Sequence, residues 1–152
     1  MVAEGEAFPA DACFTSISGE NICPGNEKGV VIVYFYPRAM TPGCTREALR
    51  FNELYDELEK CGAKVYGVST DSPERNKKFA EKYGLRFPLL SDPTGEVIAR
   101  LGVLKKGTKR PSAQRVTFIL KDGVIVRVLK NIRPAEKHAD KSLEVVKELV
   151  SC

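Results

Sequence analysis

The stretch "YFYPRAMTPGCT", residues 34–45, runs from strand-forming residues through a turn to a cysteine. Thr41, Pro42 and Gly43 read as the N-cap and first two positions of a helix, which makes Cys44 the third. A capping box would place Glu or Gln there. The unpaired N–H groups and the helix dipole favour negative charge at that position, and the thiolate is the nucleophilic form of cysteine. A reactive thiol and a cysteine that packs as a small hydrophobe both fit this spacing.

The flanking elements alternate. Continuous apolar runs at 29–37, 63–70 and 115–123 predict strands buried on both faces, with a short one at 87–92. Asp122-Gly123 predicts a hairpin into residues 123–131. Helices are predicted over 42–61, where Phe51, Leu54, Leu58 and Cys61 share a stripe, from Ser72-Pro73 to Gly84, over 95–101 and over 135–150. This order predicts an α/β layered sheet with helices on both faces. Its ligand site belongs beyond the C-terminal ends of the parallel strands, near Tyr36-Pro37 and Cys44.

The 152 residues suit a single domain over 1–152. No apolar run reaches the roughly 18 residues of a membrane helix. The acidic start "MVAEGEAFPA" is no secretory signal, so a cytoplasmic protein is expected. Net charge is +4, and the densest basic run, "KKGTKR", has no aromatic residues interleaved. Neither a nucleic acid nor a membrane is an expected partner. Five cysteines without a CxxC pair, and one histidine, suit neither zinc nor a dithiol motif. No metal or cofactor is expected, and the cysteines are expected mostly reduced.

Pro37-x-x-x-Thr41-x-x-Cys44 resembles the PxxxTxxC signature of peroxiredoxins. "FYPRAMTPGCTREA" is most similar to the bacterioferritin comigratory protein, or PrxQ, subfamily. "RVTFILKDG" resembles that subfamily's strand with its active-site arginine, here Arg115, and residues 67–103 resemble its middle portion. The resemblance implies a thioredoxin-like fold with an N-terminal extension and a thiol-dependent peroxidase. Cys44 is then the peroxidatic cysteine, oxidised to sulfenic acid by hydrogen peroxide or an organic hydroperoxide. Thr41 hydrogen-bonds the peroxide, Pro37 walls the pocket, and Arg115 holds the charge as the O–O bond stretches. The backbone at Cys44 and Gly43 adds donors, and Glu47, matching the "CTxE" run, organises Arg115 or is an exposed helix glutamate. The expected reductant is a thiol, such as a thioredoxin-like protein, acting on a monomer or homodimer.

The pattern departs at Leu49, where many members carry the resolving cysteine. A one-cysteine cycle with an external thiol ranks first, and an atypical two-cysteine cycle second. Cys61 reads as core, about 25 Å from Cys44 along a straight helix at ~1.5 Å per residue. Cys13 and Cys23 pair with each other or stay reduced. Cys152, on a mobile terminus, is the candidate able to reach Cys44. His138 is expected to be a partly exposed residue without a catalytic role. A CxxC-type oxidoreductase is disfavoured; a redox sensor or holdase that uses Cys44 oxidation stays open, and turnover separates it from a peroxidase.

Overall fold

The computed structural model describes residues 1–152. Its sheet has seven strands: β1 (Phe14–Ser16), β2 (Asn21–Ile22), β3 (Val30–Phe35), β4 (Lys64–Ser69), β5 (Leu89–Ser91), β6 (Val116–Lys121) and β7 (Val124–Leu129). They lie in the order β2-β1-β5-β4-β3-β6-β7. The centre, β3 with β4 and β4 with β5, is parallel; β6 runs antiparallel to β3, β7 to β6 and β1 to β5. The helices are α1 (Pro42–Glu53), α2 (Tyr55–Lys60), α3 (Pro73–Tyr83), α4 (Glu96–Arg100) and α5 (Lys137–Leu149). This is the α/β layered sheet that the alternating pattern predicts, in the thioredoxin-like arrangement that the resemblance implies.

β3 is buried along its whole length because its two faces serve two cores. Ile32, Tyr34 and Tyr36 pack with Ala48 and Phe51 of α1, Leu58 of α2, Phe79 of α3 and Val146 of α5. Val31, Val33 and Phe35 pack with Phe8, Phe14, Ile98 of α4 and Phe118. Period-two side-chain alternation sends successive residues to opposite faces, so a strand covered on both sides must be apolar throughout.

Topology brings distant residues to one edge. Phe35, the last residue of β3, pairs with Val68 on one side and Val116 on the other. Because β6 is antiparallel, its entry lies beside the exit of β3. Arg115, just before β6, therefore stands by the turn that leads into α1.

The helix predicted over 42–61 is two helices, broken at Leu54. The break coincides with a clamp from Arg86, whose Nη2 donates to the carbonyl of Asn52 at 2.6 Å, while its backbone N–H donates to the Asn52 side chain. A side chain that takes a helix carbonyl is a recognised cause of a bend. Ion pairs Arg46–Glu136, Arg50–Asp140 and Lys147–Glu57 show α1 and α2 running alongside α5 in the same direction.

The cysteines depart from the expectation of reduced thiols. Cys13 is bonded to Cys23 and Cys61 to Cys152, with Cα atoms 4.2 and 5.1 Å apart, and Cys44 alone is free. Both separations lie near or within the range a disulfide spans. The first staples the β1–β2 hairpin, and the second ties the chain end to the end of α2. The C-terminal cysteine is therefore held rather than free to roam, and Cys61, buried as expected, is a disulfide partner rather than a lone core thiol.

Candidate active site

Thr41 is the N-cap of α1 and Pro42 opens it, so Cys44 occupies the third helical position as its sequence predicts. Its side chain is 1% exposed. The Thr41 hydroxyl does not cap the helix: it donates to the carbonyl of Arg38 at 2.8 Å. That bond closes the turn from Arg38 to Thr41, in which Met40 adopts a left-handed conformation with φ of 65°. The turn is held from behind. The Ala39 N–H donates to Asp71, and Arg75 bonds both Asp71 and the Ala39 carbonyl. Asp71 and Arg75 went unrecognised as supports in the sequence, though their i, i+4 spacing is an ion-pair signal.

Arg115 links the sulfur to a buried carboxylate. Its Nη2 lies 3.3 Å from Cys44 Sγ and its Nη1 2.5 Å from Glu47 Oε1. Gly43 makes room for it: a Cβ there would stand 3.3 Å from the guanidinium, a tight contact from which the arginine would have to give way by a few tenths of an ångström. Burial works against the Arg115 charge, but Glu47 and Cys44 more than offset it and hold its pKa above the ordinary arginine value. One cation thus faces two groups able to carry negative charge.

Glu47 is fully buried, which excludes the exposed-glutamate reading and leaves the one in which it organises Arg115. Burial pushes its carboxyl up to about 8 against the opposing pull of Arg115. Its second oxygen, Oε2, has no hydrogen-bond partner and lies 4.0 Å from Nδ1 of His138. His138 is 1% exposed, not partly exposed as its polar neighbourhood in the sequence suggests. It shares a 2.9 Å hydrogen bond with the Thr117 hydroxyl, and burial, then Arg115, lowers its pKa to about 4, so the ring is neutral. The sequence signal was available: His138, Ala139, Ser142 and Val146 form the buried face of α5.

Pro37 lies at the rim, between the end of β3 and the turn, and its carbonyl accepts from Ser112 at 3.1 Å. Cys44, Thr41, Gly43, Glu47, Pro37 and Arg115 are thus gathered at the C-terminal edge of the parallel strands. Cys61 and Cys152 are not. α5 runs from the level of Glu47, at His138, to Leu149, roughly 17 Å at ~1.5 Å per residue, and the disulfide lies beyond that end. No group of His, Cys, Asp and Glu in the structure is arranged to hold a metal ion. A buried thiol beside an arginine, at a helix N-terminus, can form a nucleophile with its charge compensated before substrate arrives.

Residues 7–128 match the AhpC/TSA family. The chain belongs to that family, in its peroxiredoxin branch. It is 43% identical over 122 residues to peroxiredoxin Q, chloroplastic, of Sedum lineare, an alignment covering 78% of this chain and 64% of that relative's length. Among solved structures, peroxidoxin BcpB from Mycobacterium tuberculosis superposes with a TM-score of 0.91 at 32% identity, covering 99% of this chain and 100% of that one. The bacterioferritin comigratory protein of Xanthomonas campestris, studied for alkyl peroxide reduction, does so with a TM-score of 0.85 at 31% identity, covering 97% and 99%. Thiol peroxidase is the enzyme class that this peroxiredoxin membership gives.

Proposed function

We propose that this peroxiredoxin reduces hydrogen peroxide and organic hydroperoxides through Cys44 and is recycled by an external thiol. The thiolate sulfur bonds the outer peroxide oxygen as the O–O bond breaks. Cys44 becomes a sulfenic acid, and the departing oxygen takes up a proton to leave as water or an alcohol. The observation that carries the reading is the 3.3 Å contact between Arg115 and the free, buried Sγ. Arg115 then serves both the thiolate and the oxygens that gain charge in the transition state. The first N–H groups of α1 supply further donors, the Thr41 hydroxyl, which donates to the Arg38 carbonyl, accepts the proton of the incoming peroxide, and Pro37 shields the sulfur from bulk water.

Distance supports an external thiol. The position five residues after Cys44 is Leu49, and the other four cysteines are paired. Cys152 lies on the order of 20 Å from Cys44 along α5. Cys13 and Cys23 adjoin β1, three strands from β3 and so about 14 Å away at ~4.8 Å per strand. A disulfide needs Cα atoms within about 7 Å.

The test is a Cys61→Ser, Cys152→Ser protein. It is expected to keep at least about half of wild-type turnover with a small dithiol reductant, because the change removes a staple and no catalytic group. It is also expected to lose about 2–4 kcal/mol of stability, read from denaturant midpoints. Mass spectrometry of either protein after excess peroxide should find Cys44 as sulfenic and then sulfinic acid. A Cys44–Cys152 disulfide in wild type, with turnover lost in the variant, would show instead an internal resolving thiol.

Glu47 gives the cycle a pH dependence. It holds its proton up to about pH 8, whereas an unfolded glutamate ionises near ~4.3. Once ionised it draws on the same guanidinium as Cys44. The groups facing this site are Tyr34 of β3, Tyr36 just past its end, Cys44 from α1, Arg115, and His138 from α5. The two tyrosines are held neutral by burial, and His138 is neutral above about pH 4. Peroxide attack is therefore expected to slow by roughly two- to fivefold as pH rises through about 8. Glu47→Gln, which keeps the hydrogen bond to Arg115 without the charge, should lose that limb. The folded state binds the extra proton between about pH 4.5 and 8, so stability falls as pH rises across that window, less so in Glu47→Gln. Stopped-flow oxidation rates from pH 6 to about 9 check the first effect. An identical limb in Glu47→Gln would remove Glu47 from this role.

A further inference from the structure

Two clefts open on either side of Pro37. One, of about 620 Å³, is lined by Lys105, Arg115, Lys130 and Arg133 and by no carboxylate. The other, of about 680 Å³, is lined by Arg38, Arg75, Lys109 and Arg110, with Asp71 the only acid. Arg75 is paired with Asp71, and Arg115 is hydrogen-bonded to Glu47 and to Cys44 Sγ. The other six cations are exposed and make no ion pair. A chain whose net charge is only +4 therefore concentrates uncompensated positive charge around the mouth of its site.

Such a field draws in anions and raises their encounter rate, by roughly 10- to 1000-fold in favourable cases. Hydrogen peroxide is neutral and gains nothing from it. The field also changes through the cycle. A Cys44 thiolate offsets part of the Arg115 charge, whereas the sulfenic acid is neutral, so the mouth is most positive once Cys44 is oxidised. That is the moment at which the second reactant, itself a thiolate, must arrive.

We propose that the cleft lined by Lys105, Lys130 and Arg133 takes a small thiol bearing one or more carboxylates as the reductant of oxidised Cys44. This rests on the external-thiol reading above. The incoming thiolate sulfur bonds Cys44 Sγ, and the sulfenic hydroxyl leaves as water with one proton taken up. A second equivalent of the same thiol attacks the outer sulfur of the mixed disulfide, releases the Cys44 thiolate and leaves as a symmetrical disulfide. Two thiols are oxidised and one sulfenic acid is reduced. A small molecule fits better than a protein. Arg115, which lines this cleft, lies 3.3 Å from Cys44 Sγ; Cys44 itself is 1% exposed and sits below the protein surface, and the exposed large apolar side chains of the whole chain are Met1 and Val124 alone. Protein docking surfaces usually centre on apolar and aromatic groups.

The experiment oxidises the protein with one equivalent of peroxide and then mixes it with mercaptosuccinate, 2-mercaptoethanol or cysteamine, each rate normalised to thiolate concentration. At low ionic strength mercaptosuccinate should react about tenfold faster than 2-mercaptoethanol, and cysteamine more slowly than both. The advantage should shrink towards parity near ~1 M salt, where the screening length is about 3 Å. In a Lys130→Ser, Arg133→Ser protein, the ratio of mercaptosuccinate to 2-mercaptoethanol rates should fall at least about threefold. Using the ratio removes any general effect of the substitutions. A ratio near one, insensitive to salt, or a ratio unchanged in the variant, overturns the proposal. So does an acidic protein dithiol that outruns mercaptosuccinate with the same salt dependence. If the sulfenic acid disappears into a Cys44 disulfide before any thiol is added, it is the external-thiol reading that fails.

Discussion

Replacing Cys44 with serine is expected to lower peroxide turnover at least about a thousandfold while leaving the protein folded. The reacting group is a thiolate, and a serine hydroxyl is not ionised near neutral pH. It also lacks the polarisable sulfur that accepts oxygen and is later released by thiols. Folding should survive because the position tolerates the change. Cys44 makes no disulfide, and serine has nearly the same shape. The exchange leaves a slightly smaller buried side chain, a loss of about 1 kcal/mol. Circular dichroism and thermal midpoints report the fold, and peroxide consumption with excess dithiol reports turnover. A folded Cys44→Ser protein that keeps more than a few per cent of wild-type turnover would remove Cys44 from the centre of the mechanism.

The central residues were legible because their signals are local. The Thr41-Pro42-Gly43-Cys44 run carries its own helix start, and the unbroken apolar run of β3 states that both its faces are covered. Arg115 was legible only through resemblance. Its approach to Cys44 depends on β6 lying antiparallel beside β3, a pairing that no short window of sequence encodes. Glu47 and His138 were misjudged or left open for a related reason. Each looks like a polar helix residue until α1 and α5 are packed against each other and against β6, which buries both beside Arg115 and Thr117. The cysteine pairings were the least legible, since spacing does not fix connectivity. A C-terminal cysteine looks free on paper. The parallel course of α2 and α5 carries it to Cys61 and away from Cys44.

Arg115→Ala should slow the attack on hydrogen peroxide by about 10²- to 10³-fold, with most of the loss in the oxidation step. Three effects combine. The thiolate loses a donor at 3.3 Å and its nearest positive charge. The stretching O–O bond loses a cation. Glu47 loses the partner of its only hydrogen-bonded oxygen, and burial then keeps it protonated to a still higher pH. The last effect separates Arg115 from a charge that merely sits near the sulfur. In Arg115→Ala the fall in rate through about pH 8 should vanish, because Glu47 and Cys44 no longer share a cation. Arg115→Lys should restore part of the rate, since a lysine supplies charge without the planar fork that spans sulfur and carboxylate. Single-turnover oxidation of reduced protein, measured against pH in the three proteins, gives both readouts. If Arg115→Ala oxidises within a few-fold of wild type and keeps the same pH profile, the 3.3 Å contact has no part in the chemistry, and the donors at the start of α1 must stabilise the thiolate without it.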